Sequence, residues 1–154
     1  MAFRNTIDSI LGKVLVAIMG IMVINVLWQV FTRFIIGTPS SFTDELSRYL
    51  MVWLGILGAA YVSGKNMHVA IDVLPQRFSE SIQKRLHLFV YALIIAFAFA
   101  AMVVGGFRLV YITYVLEQRS PSLQIPLAAV YAVIPLSGIL IIFYKISDII
   151  KSKS

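Results

Sequence analysis

The chain reads as an all-α membrane protein with four transmembrane helices, and two observations predict it. Four long stretches carry no formal charge: Val14–Thr32 for 19 residues, Tyr49–Gly64 for 16, Leu86–Phe107 for 22 and Ser120–Tyr144 for 25. A helix rises about 1.5 Å per residue, so about 20 residues cross a hydrocarbon core of roughly 30 Å. The second stretch reaches that length when Arg48 sits at its end and extends its guanidinium into the headgroups. Composition is the second observation. With 60% hydrophobic residues, 13% charged residues and a mean hydropathy of +0.90 over 154 residues, one four-helix membrane domain accounts for the whole length.

Charge sets the expected orientation. Arg4 and Lys13 precede the first span, Lys65, Arg77, Lys84 and Arg85 lie between the second and third, and Lys145, Lys151 and Lys153 follow the fourth. The opposite side holds Arg33, Arg48, Arg108 and Arg119, partly offset by Asp44, Glu45 and Glu117. The positive-inside rule therefore places both termini and the middle loop in the cytoplasm. Loops around Gly37–Thr43 and Glu117–Ile125 then face outward. The net charge of +6 gathers at helix ends rather than in a basic stripe between exposed aromatics, so nucleic acid is not an expected partner. Membrane lipid is.

The elements follow in order. Phe3, Ile7, Ile10, Leu11 and Val14 recur at helical spacing, predicting a short amphipathic helix over about 3–13, lying on the membrane surface. The spans are expected at about 14–36, 46–64, 86–116 and 126–146. No small-residue cleavage site follows the first, which reads as a retained anchor. Its stripe of Asn25, Gln29 and Arg33, each four apart, fits helix–helix hydrogen bonding better than a conduit, because no second polar stripe opposes it.

The second span opens at Ser41-Phe42-Thr43-Asp44-Glu45, where Thr43 is a candidate N-cap and the two carboxylates suit the positive end of the helix dipole. Glu45 and Arg48 are placed to pair with each other, or Glu45 with Arg33. Gly55/Ala59 and Ala60/Gly64 are small-residue pairs that permit close helix approach. His68 and Asp72, four apart, fit a structural hydrogen bond rather than a metal site, since further ligands are lacking. Phe78, Ile82 and Leu86 predict a second interfacial helix leading into span three. That span, about 31 residues if it runs on to Leu116, must tilt or project. Pro126 fits the first turn of span four, and Pro135 predicts a kink within it.

Several function classes drop out. There is no cysteine, hence no disulfide or thiolate chemistry. No acidic residue lies inside a span, which argues against a proton-coupled exporter. Nothing forms a nucleophile–base pair, phosphate loop or metal cluster, so no enzyme activity and no cofactor are expected; a membrane enzyme has only His68 and Asp72 in its favour. The residues themselves point to a structural or accessory membrane subunit. The alternative is a small homo-oligomeric channel or exporter whose pore is lined by Asn25 and Gln29.

A set of ordered motifs adds to this. Trp28-Gln29-Val30-Phe31-Thr32-Arg33-Phe34, Thr43-Asp44-Glu45-Leu46-Ser47-Arg48-Tyr49, Trp53, Gly58-Ala59-Ala60, His68-Val69-Ala70-Ile71-Asp72 and Ser120-Pro121-Ser122-Leu123-Gln124-Ile125-Pro126, with Tyr131, Ile134, Pro135 and Leu136, resemble the small membrane subunits of tripartite ATP-independent periplasmic (TRAP) transporters. Phe42 departs from the pattern, since many members carry tryptophan there. The resemblance implies a multi-pass protein of the bacterial cytoplasmic membrane. It also implies two partners: a large transmembrane subunit that binds substrate and sodium and moves as an elevator, and a periplasmic substrate-binding protein that delivers an organic anion of the sialic acid or dicarboxylate class. The small subunit would be part of the static scaffold. Ser41, Asp44, Glu117, Arg119, Ser122 and Gln124, on the outward loops, are the candidate contacts for the binding protein.

Overall fold

The computed structural model describes residues 2–38, 40–65 and 80–153, so His68 and Asp72 lie outside the described residues. Among the described residues there are six α-helices: α1 (Ala2–Phe31), α2 (Ser41–Gly64), α3 (Glu80–Phe97), α4 (Gly106–Val115), α5 (Leu127–Tyr131) and α6 (Val133–Lys153). A π-helical turn, Thr32–Ile36, closes α1, and a π-helical stretch, Ala98–Gly105, joins α3 to α4 without interruption. Four of the described stretches are long and apolar enough to cross a membrane: Arg4–Ile36, Ser41–Gly64, Arg85–Val115 and Leu127–Ile150.

The segment expected to form a separate surface helix is instead the opening of α1. Leu11 is buried in the same cluster as Ile18, Leu57 and Val133, while Arg4 and Asp8 find partners on α6. Leu11 therefore turns toward protein, with Ile7 half-buried, while Ile10 and Val14 stay exposed. In the same way, the described part of the segment before span three is continuous with that span.

The spans form a row of neighbours. Close backbone approaches join α1 to α2, α2 to α6, and α6 to the π-helical stretch and α3; α1 and the third span make no approach of comparable extent. Burial follows this order. Of the most apolar window in each span, 44% is buried in the fourth but only 6% in the third. Small residues explain why α6 is central. A Cβ at Gly138 would lie 2.8 Å from Met102 Cβ, one at Gly106 2.8 Å from Pro135 Cδ, and one at Gly64 2.7 Å from the Tyr144 ring. At such crossings only glycine allows the helices to pack.

Pro135 breaks the fourth span as expected, but the break lies ahead of it. α5 ends at Tyr131, Ala132 forms the joint, and Pro135 occupies the first turn of α6. A proline there removes the N–H that would return to the carbonyl four residues earlier. Pro126 is the N-cap of α5 rather than its first helical residue.

Candidate functional site

Hydrogen-bonded polar side chains concentrate near the two ends of the spans. At one end, the Glu45 carboxylate lies in the first turn of α2, where the helix dipole favours negative charge. It is 8% exposed, and it accepts the Ser122 N–H at 2.8 Å, the Leu123 N–H at 3.0 Å and the Tyr49 hydroxyl at 2.8 Å. Two consecutive backbone amides on one carboxylate fix the loop between α4 and α5 to α2. Arg48 is not its partner. That guanidinium donates to Asp44 at 3.1 Å, with both side chains more than half exposed. Three residues along a helix place Arg48 beside Glu45, but Glu45 turns toward the loop and Asp44, four residues before Arg48, faces out with it.

Thr43 is not the helix cap. Ser40 holds that position in extended conformation without a side-chain bond, and the Thr43 hydroxyl donates back to the Ser40 carbonyl at 2.8 Å. Asn25 is buried, and its amide donates to the Thr43 carbonyl and the Ser47 hydroxyl, each at 2.7 Å. It joins α1 to α2 and does not line open space. Gln29 reaches Asp44 only at 3.5 Å, and Arg33 is exposed in the π-helical turn. Gly55 and Ala59 are exposed, with nothing within 4 Å of a Cβ at Gly55, whereas Ala60 and Gly64 are buried against α6. Among the described residues, only the second small-residue pair makes a crossing.

The loop beyond α4 is closed by its own backbone. Glu117 takes a left-handed conformation (φ 47°), with its N–H on the Tyr114 carbonyl and that of Gln118 on the Thr113 carbonyl, both at 3.0 Å. This is a Schellman ending with glutamate where glycine is usual. The Leu127 N–H meets the Gln118 carbonyl and the Ser120 N–H meets that of Ile125; Gln124 is again left-handed (φ 55°). Ser41, Asp44, Glu117, Arg119, Ser122 and Gln124 are all exposed on this end. Near the Pro135 break, the Trp53 indole N–H donates to the Val130 carbonyl at 3.0 Å.

The opposite end holds a cluster that sequence reasoning missed. Arg4 pairs with Asp148 at 2.6 Å and also donates to the Gly64 carbonyl. The Tyr144 hydroxyl donates to Asp8 at 2.6 Å, and Lys65 approaches the other Asp8 oxygen at 3.6 Å. Lys145, 1% exposed, donates to the Ser63 carbonyl at 3.1 Å, lies 3.6 Å from Asp148 and sits over the Tyr91 ring. Buried charges are tolerated when paired and hydrogen-bonded in this way. The available signal was Lys145 and Asp148, three apart on a terminal apolar helix, but a boundary lysine reads equally as a headgroup anchor. These bonds hold the start of α1 and the end of α6 at the same end of the molecule.

Among the described residues the arrangement is one of attachment, with no opposed reactive groups. Comparison with known proteins agrees. Residues 22–153 match the family model described as tripartite ATP-independent periplasmic transporters, DctQ component. The chain is 33% identical over 86 residues to a protein of Haemophilus influenzae assigned as a TRAP transporter small permease, covering 54% of this chain and 53% of that one. It is 33% identical over 95 residues to the sialic acid TRAP transporter permease protein SiaT of H. influenzae, covering 61% of this chain and 15% of that one. It is 22% identical over 151 residues to the sialic acid TRAP transporter small permease protein SiaQ of Vibrio cholerae, covering 95% and 83%. The chain thus spans about half the length of the first of these relatives and a small part of the second.

Proposed function

Because the chain belongs to the DctQ family of tripartite ATP-independent periplasmic transporters, a family of transporter components, we propose that it is the scaffold subunit of a sodium-driven carrier for organic anions. In this reading it supports a large elevator-type subunit in the bacterial inner membrane, and its outward loops help dock a periplasmic substrate-binding protein. The similarity to SiaT, of which this chain matches 15%, supports a much larger membrane partner. The names of SiaT and SiaQ support a cargo of the sialic acid class, and a further relative named as a C4-dicarboxylate TRAP transporter small permease supports dicarboxylates as the alternative.

One observation carries the scaffold role. The deepest polar side chain of the first span, Asn25, is spent on α2, and the ion pairs among the described residues lie at the two ends. An anion crossing this chain would meet no compensating charge in the apolar middle, where an unpaired charge is costly. Transport must then use surfaces supplied by another subunit. Reconstitution tests this. The purified chain alone gives no sodium-dependent uptake of a sialic acid or dicarboxylate into liposomes, and uptake appears when the large subunit and binding protein are added. Uptake by the chain alone overturns the scaffold reading.

A further inference from the structure

A groove of about 630 Å³ opens between the first turns of α1 and the end of α2, beside the Arg4–Asp148 cluster. Its polarity changes along α1. Asn5, Ser9 and Lys13 line the part nearer the chain terminus, and Val16 and Ala17 line the next turn into the span. Gly12 leaves the floor open: a Cβ there would only just touch the Tyr61 ring, at 3.7 Å. Lys65 stands on the other wall, over the Tyr61 ring. Lys13 is the last charged residue before the apolar run that begins at Val14, so the polar half of the groove lies at the hydrocarbon boundary.

Charge decides the occupant. The groove has two ammonium groups, Lys13 and Lys65, and one carboxylate, Asp8. Asp8 is already engaged by the Tyr144 hydroxyl at 2.6 Å and by Lys65 at 3.6 Å, whereas Lys13 makes no ion pair among the described residues. An excess of one positive charge, hydroxyl and amide groups beside it, and an apolar continuation toward the bilayer centre match a phosphate headgroup followed by an acyl chain. We propose that this groove binds an anionic phospholipid of the phosphatidylglycerol type, with its phosphate between Lys13 and Lys65 and its first methylenes along Val16 and Ala17. A bound lipid there spans α1 and α2 and adds to the clasp that joins the two chain ends.

The test measures lipid retention on the full chain by native mass spectrometry, with phosphatidylglycerol and phosphatidylcholine offered in equal amounts. Wild type retains phosphatidylglycerol preferentially. Lys13→Gln, which breaks no ion pair among the described residues, lowers that preference about fivefold, the effect of one juxtamembrane lysine. Gly12→Val keeps both charges but fills the floor, and it abolishes the preference while leaving the melting temperature in phosphatidylcholine unchanged. Equal retention of the two lipids by wild type overturns the proposal. So does an undiminished preference in both variants, which would mean diffuse attraction to the surface. Displacement of the lipid by millimolar inorganic phosphate would assign the groove to a soluble anion. Loss of the preference when the large subunit co-purifies would assign it to a protein contact.

Discussion

Glu45 and Arg48 are separated by one helical turn, yet they work in different settings. Glu45 is enclosed and receives the Ser122 and Leu123 amides and the Tyr49 hydroxyl, while Arg48 makes an exposed bridge to Asp44. Removing an acceptor that serves three donors leaves each of them short of a partner, whereas exposed i,i+4 bridges are worth under about 1 kcal/mol. Glu45→Ala is therefore expected to lower the melting temperature in detergent by several degrees and to expose the 120–126 loop to protease. Arg48→Ala is expected to shift it by no more than about a degree. Equal effects of the two substitutions would show that the loop does not depend on Glu45. An Arg48→Ala chain that melts normally but fails to co-purify with its large partner would place Arg48 at the subunit interface.

At the scale of elements, the glycines divide into those that hold a crossing and those that do not. Gly138 lies against the π-helical stretch, so an added methyl must displace Met102, Val103 or backbone. Overpacking of this kind costs about 1–3 kcal/mol. Gly138→Ala is expected to destabilise the chain by that amount, read from unfolding in a graded detergent series. Gly55→Ala has free space on an exposed face and is expected to be neutral in the isolated chain. A Gly138→Ala chain as stable as wild type would contradict the close passage of α6 over the third span. The same contrast shows the limit of the small-residue pattern. Both pairs on α2 have the same spacing, and only the position of α6 decides that Ala60 and Gly64 are the ones used.

For the whole molecule, the Arg4–Asp148 bond puts both termini at one end and the Glu45–loop contact at the other. Combined with the excess of basic residues at the terminal end, this predicts that Ser41 and Ser122 face the periplasm and Lys153 the cytoplasm. Because the chain has no cysteine, single-cysteine variants at these three positions report cleanly. An impermeant maleimide is expected to label positions 41 and 122 in intact cells and position 153 only after lysis. Labelling of 153 in intact cells would reverse the topology. The row arrangement has its own consequence: α1 and the third span, one at each end of the row, keep large apolar side chains such as Trp28, Phe34, Phe97 and Phe107 exposed. In a membrane such surfaces meet lipid or another subunit without the penalty that water would impose.

The sequence alone determined that the chain has four helices long and apolar enough to cross a membrane, and that the fourth is interrupted near Pro135. Those properties follow from local quantities, namely the length of charge-free runs and the missing N–H of Pro135. It also marked Glu45, Asn25 and the 120–126 loop as polar features. Only the tertiary structure decided their partners. Helical spacing says which residues share a face, but it does not say which distant element that face meets; Glu45 is 77 residues from Ser122, and Arg4 is 144 from Asp148. The same reason made the opening of α1 look like a surface helix. Its amphipathic pattern does not show that Leu11 meets Leu57 and Val133 or that Arg4 and Asp8 reach α6, contacts made across the full length of the chain.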